Sequence, residues 1–503
     1  MKHLYILSLF FTTFQLFAND PNVESKKIIY FCGNNSEFPW EENAELACRG
    51  SFYPAVLGLL FYIDHNAEIN TLSLESFSWD YYNNYYKLRL KKDLYFHNNR
   101  KVNSKDLEFS ILRHFFSKNP NIGDSFQINL KGTEKIKKGQ PYQSGLVDGL
   151  KILDDRTIAI TPSKSNPSFL YTLTHFSFSL VPIEELNSDL ITWKKWPVGV
   201  GAYKVTEHFK KEKSFLLELV DPASYPNAPK EILYEQIRIN EPDITNKDYI
   251  TSRNEKYIKE ELLAPLYRRL IEFNYSSDLA KSKDFRKAIA YAISREDLSK
   301  VTNILTNPLY ELLTSSSIGR INIKENQNIN EAIKIIKSLK LSNEITIPFS
   351  EDSSYLGEKY RIVLKGQLNK IGLKIKFKEN TKNLWDPFTK EFKNSPFYLH
   401  STEADYYDPI LNFTNYRNGS PSKNAYPDDK LIQNLLDESQ EAPSRDILNE
   451  RLKNISRYFY EQRVLIPLFE IPNIVYYNPE KISCIGTQFG GVTLYLQNIK
   501  VKN

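Results

Sequence analysis

Apolar and polar positions alternate at Tyr86, Leu88 and Leu90 within "YYKLRLKKDLYFHNNRKVNSKDLEFSILRHFF", residues 85–116, and this period of two predicts a strand. Asn98 and Asn99 then mark a turn. Ser104 is placed to cap a helix whose apolar stripe is Leu107, Ile111 and Phe115, spaced by four as a helical face requires. "GLKILDDRTIAITP", 149–162, predicts a hairpin turning at "DDR", and "PSFLYTLTHF" a helix after it. At "WPVGVGAYKVTEHF", 196–209, Pro197 and two glycines interrupt the chain before another strand, so a turn or a close backbone approach is expected there.

The second half changes rhythm. "LYRRLIEFNY" is strand-like, and "DFRKAIAYAISREDLSKV", 284–301, predicts a helix with Phe285, Ala288, Ile289, Ala292 and Ile293 on one side. "NINEAIKIIKSLKL", 328–341, is a second helix. "YLGEKYRIVLKGQLNKIGLKIKFKE", 355–379, predicts a helix ending near Gly372 and then a strand, the order of an α/β unit. "PDDKLIQNLLDESQ" and "SRDILNERLKNISRYFYEQRVLIPLFE" add two helices before a closing strand region.

Composition places these elements in a globular frame: 503 residues, 41% hydrophobic and 25% charged, are enough for at least two lobes. A formal charge of +5 is small for this length, and lysines interspersed with acids form no basic stripe, so no nucleic-acid partner is expected. Lys2 and His3 precede "LYILSLFFTTFQLFA", a run of signal-peptide length followed by the polar "NDPNVESKK". The expectation is export with cleavage near Ala18; the alternative is an N-terminal membrane anchor, for which Thr12, Thr13 and Gln15 leave the run short. The strand-like "KKIIYFCG" follows. Export makes a disulfide available, and Cys32 with Cys48 would close a short loop, with two free thiols as the alternative. Cys484 is expected to be a buried free thiol.

Candidate chemistry concentrates in "HSTEADYYDPILNFTNY", 400–416. Asp405 and Asp408 could form a glycosidase pair, but acids three residues apart on a loop fix no carboxylate separation. No G-x-S-x-G, H-E-x-x-H or Cys/His arrangement appears, and the glycines at 199 and 201 lack the spacing and the Lys-Ser/Thr pair of a phosphate loop. His400 invites a metal, yet His65, His97, His114, His175 and His208 are scattered without ligand spacing, so neither metal nor cofactor is expected.

The order of "LRLKKDLYFHNNRKVNSKDLEFSILR", "PVGVGAYKV", "DFRKAIAYAISRED", "LKGQLNKIGLKIKF", "ADYYDPILNF" and "RYFYEQRVLIPLFE" resembles the extracellular solute-binding proteins of family 5, the peptide receptors of ABC importers. The resemblance implies an α/β, two-lobed periplasmic-binding-protein fold (type II, cluster C) with an extra domain inserted in the first lobe. Its expected parts are a signal peptide at 1–18, lobe I at 19–50, 178–262 and 474–503, the inserted domain at 51–177, and lobe II at 263–473. It further implies a monomer without catalysis, which captures a peptide by hinge closure and releases it to permease subunits in the inner membrane.

In such proteins an aspartate in a segment similar to "ADYYDP" grips the ligand's ammonium group, which assigns that role to Asp405. A carboxylate in a closed cleft favours a cation by charge-assisted hydrogen bonding, and Tyr406 and Tyr407 could add ring faces or hydroxyls. Asp408 and Pro409 read as the turn presenting it. Thr402 stands where relatives often have tryptophan. Glu403 is an extra acid that would favour a cationic ligand if it faced the cleft, and a solvated loop residue otherwise. Other departures are Asn99 in place of a usual glycine, a short stretch after "IRIN", and a reduced "TSSSIGRINIKEN" loop. A sensor or scaffold without transport, or a relative binding a sugar, opine or metal chelate, is the alternative.

Overall fold

The computed structural model describes residues 26–502 apart from 34–36, 41–45, 65–67, 81, 119–129, 164–168, 247–255, 263–266, 342–343, 350–355, 380–393, 404–409, 415, 418–428, 443 and 489–493. Three larger sheets, each with its own buried cluster, organise it. The first has seven strands in the order Ile258–Glu261, Ile474–Tyr477, Ile244–Thr245, Lys27–Phe31, Glu231–Glu235, Ser214–Leu219 and Tyr203–Phe209. Lys27–Phe31 is parallel to both neighbours, and its inward residues Ile28 and Tyr30 pack with Phe52, Phe215 and Tyr234. A disulfide joins Cys32, just past that strand, to Cys48 in the helix Leu46–Val56.

The second sheet runs Asn307–Pro308, Leu465–Ile471, Tyr267–Phe273, Phe397–Glu403, Ile345–Phe349 and Ile375–Glu379. Its opposite faces carry different cores. Ile271 and Phe273 pack with the helices Lys283–Ala292 and Lys359–Lys370, whereas Leu270 packs with Leu448, Leu452 and Phe459 of the helix Arg445–Gln462. The predicted stripe at Phe285, Ala288, Ile289 and Ala292 is buried. The helix expected over 284–301 is interrupted, however. Ile293 is extended, and the Ser294 side chain accepts from the Asp297 N–H to open a second helix, Arg295–Ser299. "SRED" is thus a helix start.

The third sheet orders Leu74–Asp80, Tyr85–Leu90, Thr157–Ile160 and Leu150–Asp154, and the helix Ser104–Phe116 packs with it around Leu107 and Ile111. The cap of this helix is Asn103 and not Ser104. The Asn103 side chain accepts from Lys105 N–H, while the Asp106 carboxylate accepts from Asn103 N–H, a reciprocal pair that fixes the start one residue earlier. Asn99 takes φ 67°, the left-handed conformation for which glycine is the usual choice and asparagine the tolerated one. "PSFLYTLTHF" forms only a short helix, Phe169–Thr172, among its described residues.

The glycines of "PVGVGAYKV" mark a close approach. Val200 and Gly201 N–H groups donate to the Leu57 and Val56 carbonyls at 3.0 Å each. A Cβ on Gly201 would stand 2.2 Å from the Ala55 oxygen, and one on Gly199 2.3 Å from the Leu57 Cα, so only glycine fits. His97 locks the same strap: Gly199 N–H donates to Nδ1, and Nε2 lies 2.9 Å from the Gly201 carbonyl. That pair of contacts requires the neutral ring with its proton on Nε2, and burial holds the imidazole down at about 4. Cys484 is a free thiol as expected but half-buried, in the short strand Ile482–Cys484.

Candidate functional site

The first two sheets are joined by two neighbouring chain segments. Glu261 pairs with Ile474 at the end of one antiparallel ladder, and Tyr267 with Ile471 at the start of the next. Between them the Leu262 N–H donates to the Asn473 carbonyl at 2.7 Å. Both connections between the two sheets therefore leave the first sheet from adjacent positions and enter the second at paired ones.

The acidic stretch is built onto this seam. Phe397–Glu403 lies inside the second sheet, antiparallel to Tyr267–Phe273 and bridged to Ile345–Phe349 through Leu399 and Phe349. Glu403 pairs with Tyr267, so the strand ends where the crossing begins. Asp405, Tyr406, Tyr407, Asp408 and Pro409 lie outside the described residues, as does the side chain of Glu403. The chain beyond them is rooted again: Ile410, Phe413 and Tyr416 are buried with Leu448, Leu452 and Phe459. The described flanks of the predicted anchor are thus the strand Phe397–Glu403 and the buried Ile410.

Thr402 sits in the sheet rather than in an open wall. Its hydroxyl accepts from Arg268 Nε at 2.8 Å, and Arg268 Nη1 donates to the Leu312 carbonyl at 2.6 Å. Glu272, also buried, accepts from the Tyr398 and Tyr416 hydroxyls. Burial is the main cause that pushes the Tyr416 phenol well above its ordinary value, with the Glu272 charge adding to it.

Arg269 was not singled out by the sequence pattern. Alternation sends it to the opposite face from Arg268, where it has no exposed surface. Its Nη1 donates to Ser401 Oγ at 2.9 Å, its guanidinium lies 5.7 Å from the Tyr360 ring centre, and its Nε and Nη2 have no partner. The available signal was the pair of arginines inside "YRRLIEF", charged residues in a strand bordered by apolar neighbours. Among the described residues no cluster of His, Cys, Asp and Glu could hold a metal ion.

Residues 68–424 match the sequence model of the bacterial extracellular solute-binding proteins, family 5. The chain belongs to this family. Its members are binding proteins for transport, not enzymes, and the fold agrees. The periplasmic binding protein DppA from Helicobacter pylori, in complex with the peptide STSA, aligns with a TM-score of 0.70 at 16% identity, covering 95% of this chain and 99% of that one. AgaA from A. tumefaciens R10 in complex with agropinic acid gives 0.70 at 17%, covering 95% and 99%. NikA from Brucella suis in complex with Fe(III)-EDTA gives 0.76 at 15%, covering 95% and 100%. At these identities the likeness establishes the two-lobed α/β fold. No match is found among curated proteins. In this family 5 chain, no described helix is long and apolar enough to cross a membrane.

Proposed function

We propose that this family 5 protein is the substrate-binding subunit of an ABC importer that captures short peptides between its lobes and passes them to a membrane permease. The observation that carries this reading is the match of residues 68–424 to family 5, together with the strand Phe397–Glu403, which ends opposite Tyr267 two residues before Asp405 in the sequence. A carboxylate there would meet the ligand's ammonium group as the lobes close, with Tyr406 and Tyr407 beside it. Closure removes competing water and strengthens each such contact. Main-chain hydrogen bonds from strands of both lobes would hold the peptide backbone whatever its side chains.

Lobe I at 19–50, 178–262 and 474–503, the inserted domain at 51–177 and lobe II at 263–473 are supported by the separate cores of the three sheets except at two junctions, where Phe52, Ala55 and Val56 pack in the first sheet's core and Phe178 and Leu180 in the third's. The first 18 residues would be removed on export to the periplasm, where the protein acts as a monomer without a cofactor. Thermal-shift assays with a peptide library test the reading. Short peptides with a free amine should stabilise the protein, and Asp405→Asn should weaken them about tenfold or more while leaving N-acetylated forms little changed. Equal loss for both forms would remove the ammonium anchor. Stabilisation by a sugar or a metal chelate alone would replace the peptide reading.

A further inference from the structure

We propose that a small cavity at Arg295, at the start of the strand Leu465–Ile471, is a binding site for a small monovalent anion of the chloride type. It is separate from the cargo site and does not rest on the peptide reading.

The cavity lies where the helix Arg295–Ser299, the last turns of the helix Arg445–Gln462 and the strand Leu465–Ile471 meet. Its walls include Arg295, Tyr310, Glu311, Phe459, Arg463 and Pro467. The space inside takes about one particle the size of a water molecule.

Arg295 supplies the charge. It is 2% exposed, its Nε donates to the Pro467 carbonyl at 2.8 Å, and its guanidinium carbon lies 4.7 Å from the centre of the Tyr310 ring. Among the described residues its Nη1 has no hydrogen-bond partner. Burial lowers this guanidinium only to about 10, so it is protonated at neutral pH. A charge taken out of water is costly unless an opposite charge or hydrogen bonds replace its hydration.

The nearby acids are already engaged. Glu325 accepts from Arg463 and from the Tyr460 hydroxyl. Glu311 accepts from Arg320 and from the N–H groups of Ile321 and Asn322. Glu296 accepts from the Tyr310 hydroxyl and faces Lys324 at 4.0 Å. Each carboxylate thus has a cation of its own, and Arg295 is the positive charge left over.

Three requirements define the occupant: it must accept from Nη1, carry one negative charge and fill the space of about one water. A water molecule would take the N–H but leave the charge unbalanced. A carboxylate or phosphate is too large. A halide satisfies all three, being little larger than water and having no protons that need acceptors, and weak dielectric screening among Phe459, Leu465 and Ile466 strengthens its attraction to the guanidinium.

Position keeps this site apart from the cargo. Leu465, Ile466 and Pro467 pair with Glu272, Ile271 and Leu270, at the far end of the strand from the crossing at Ile471. Pro467 and Ile471 are four residues apart, about 13 Å along the strand. The anion ties together two helices, the segment at Tyr310 and Glu311 and the start of the strand, so its effect falls on stability.

The test melts wild type and Arg295→Met in sodium chloride, sodium bromide and sodium gluconate at equal ionic strength, and soaks wild-type crystals in bromide for anomalous diffraction. Chloride and bromide should raise the wild-type midpoint about 2 °C or more above gluconate, by a shift that grows with the logarithm of concentration. Arg295→Met should melt alike in all three salts, and an anomalous peak should stand beside Arg295 Nη1. Equal wild-type melting in the three salts, or the same halide shift in Arg295→Met, would overturn the proposal. The soak needs no variant and decides the matter even if Arg295→Met does not fold: no bromide peak at Arg295 would mean that the cavity holds water only.

Discussion

Arg286 and Arg269 are both buried in the second sheet's surroundings, and they are treated in opposite ways. Arg286 ties off carbonyls where the helix Arg445–Gln462 ends and where the chain enters the helix Lys283–Ala292. Every such bond is internal, so the residue serves the fold. Arg269 lies on a strand that leads into the crossing, makes one hydrogen bond, and leaves two nitrogens unmatched. The fold saturates one buried cation and leaves the other with a single hydrogen bond. The strap at Gly199–Gly201 belongs with Arg286: His97 uses both ring nitrogens, and the backbone bonds beside it are complete.

The largest expected effects are on stability. Arg286→Met should cost about 4 kcal/mol in chemical denaturation, because it strands several buried carbonyls at once; a loss below about 1 kcal/mol would mean that Arg286 and Arg269 do not differ in kind. Gly201→Ala should cost about 3 kcal/mol, since the added Cβ must displace the backbone at Ala55. A melting temperature equal to wild type would show that the strap can shift.

Burial lowers His97 to about 4 and His175 to about 3, against an ordinary value near 6.5. Between those limits the unfolded chain binds protons that the folded chain excludes, so stability falls as pH drops from 6.5 towards 4. For His97 the loss is at most about 3 kcal/mol, and it is absent above pH 7. Urea melts of wild type and His97→Gln across this window measure it: the wild-type slope should be steeper. The smallest stability change belongs to Arg269→Met, expected within about 1 kcal/mol of wild type or above it, because the substitution removes a buried charge that makes a single hydrogen bond.

Much of this was legible in the chain itself. Periods of two and near four located the strand at Tyr86–Leu90 and the buried stripe from Phe285 to Ala292, because a half-buried element must repeat at its own geometry. Boundaries were less legible. Whether Asn103 or Ser104 caps a helix depends on which side chain reaches a free N–H, and the break at Ile293 depends on Ser294 winning that competition against one more helical turn. At the candidate site, the resemblance pointed to Asp405, and the structure supplies its rooted flanks. Arg269 was illegible for a different reason. Alternation predicts the face a strand residue occupies, but partners come from strand order, and Ser401 and Tyr360 arrive at Arg269 from about 130 and 90 residues away in the chain. An absent partner is visible only once all the neighbours are placed.

The proposed cargo of this family 5 protein is a short peptide. Native mass spectrometry of the protein purified from its own host tests it most directly. The expected result is a bound mass in the range of a short peptide, released on mild activation and lost in Asp405→Asn. A bound sugar or metal chelate in place of a peptide would overturn it.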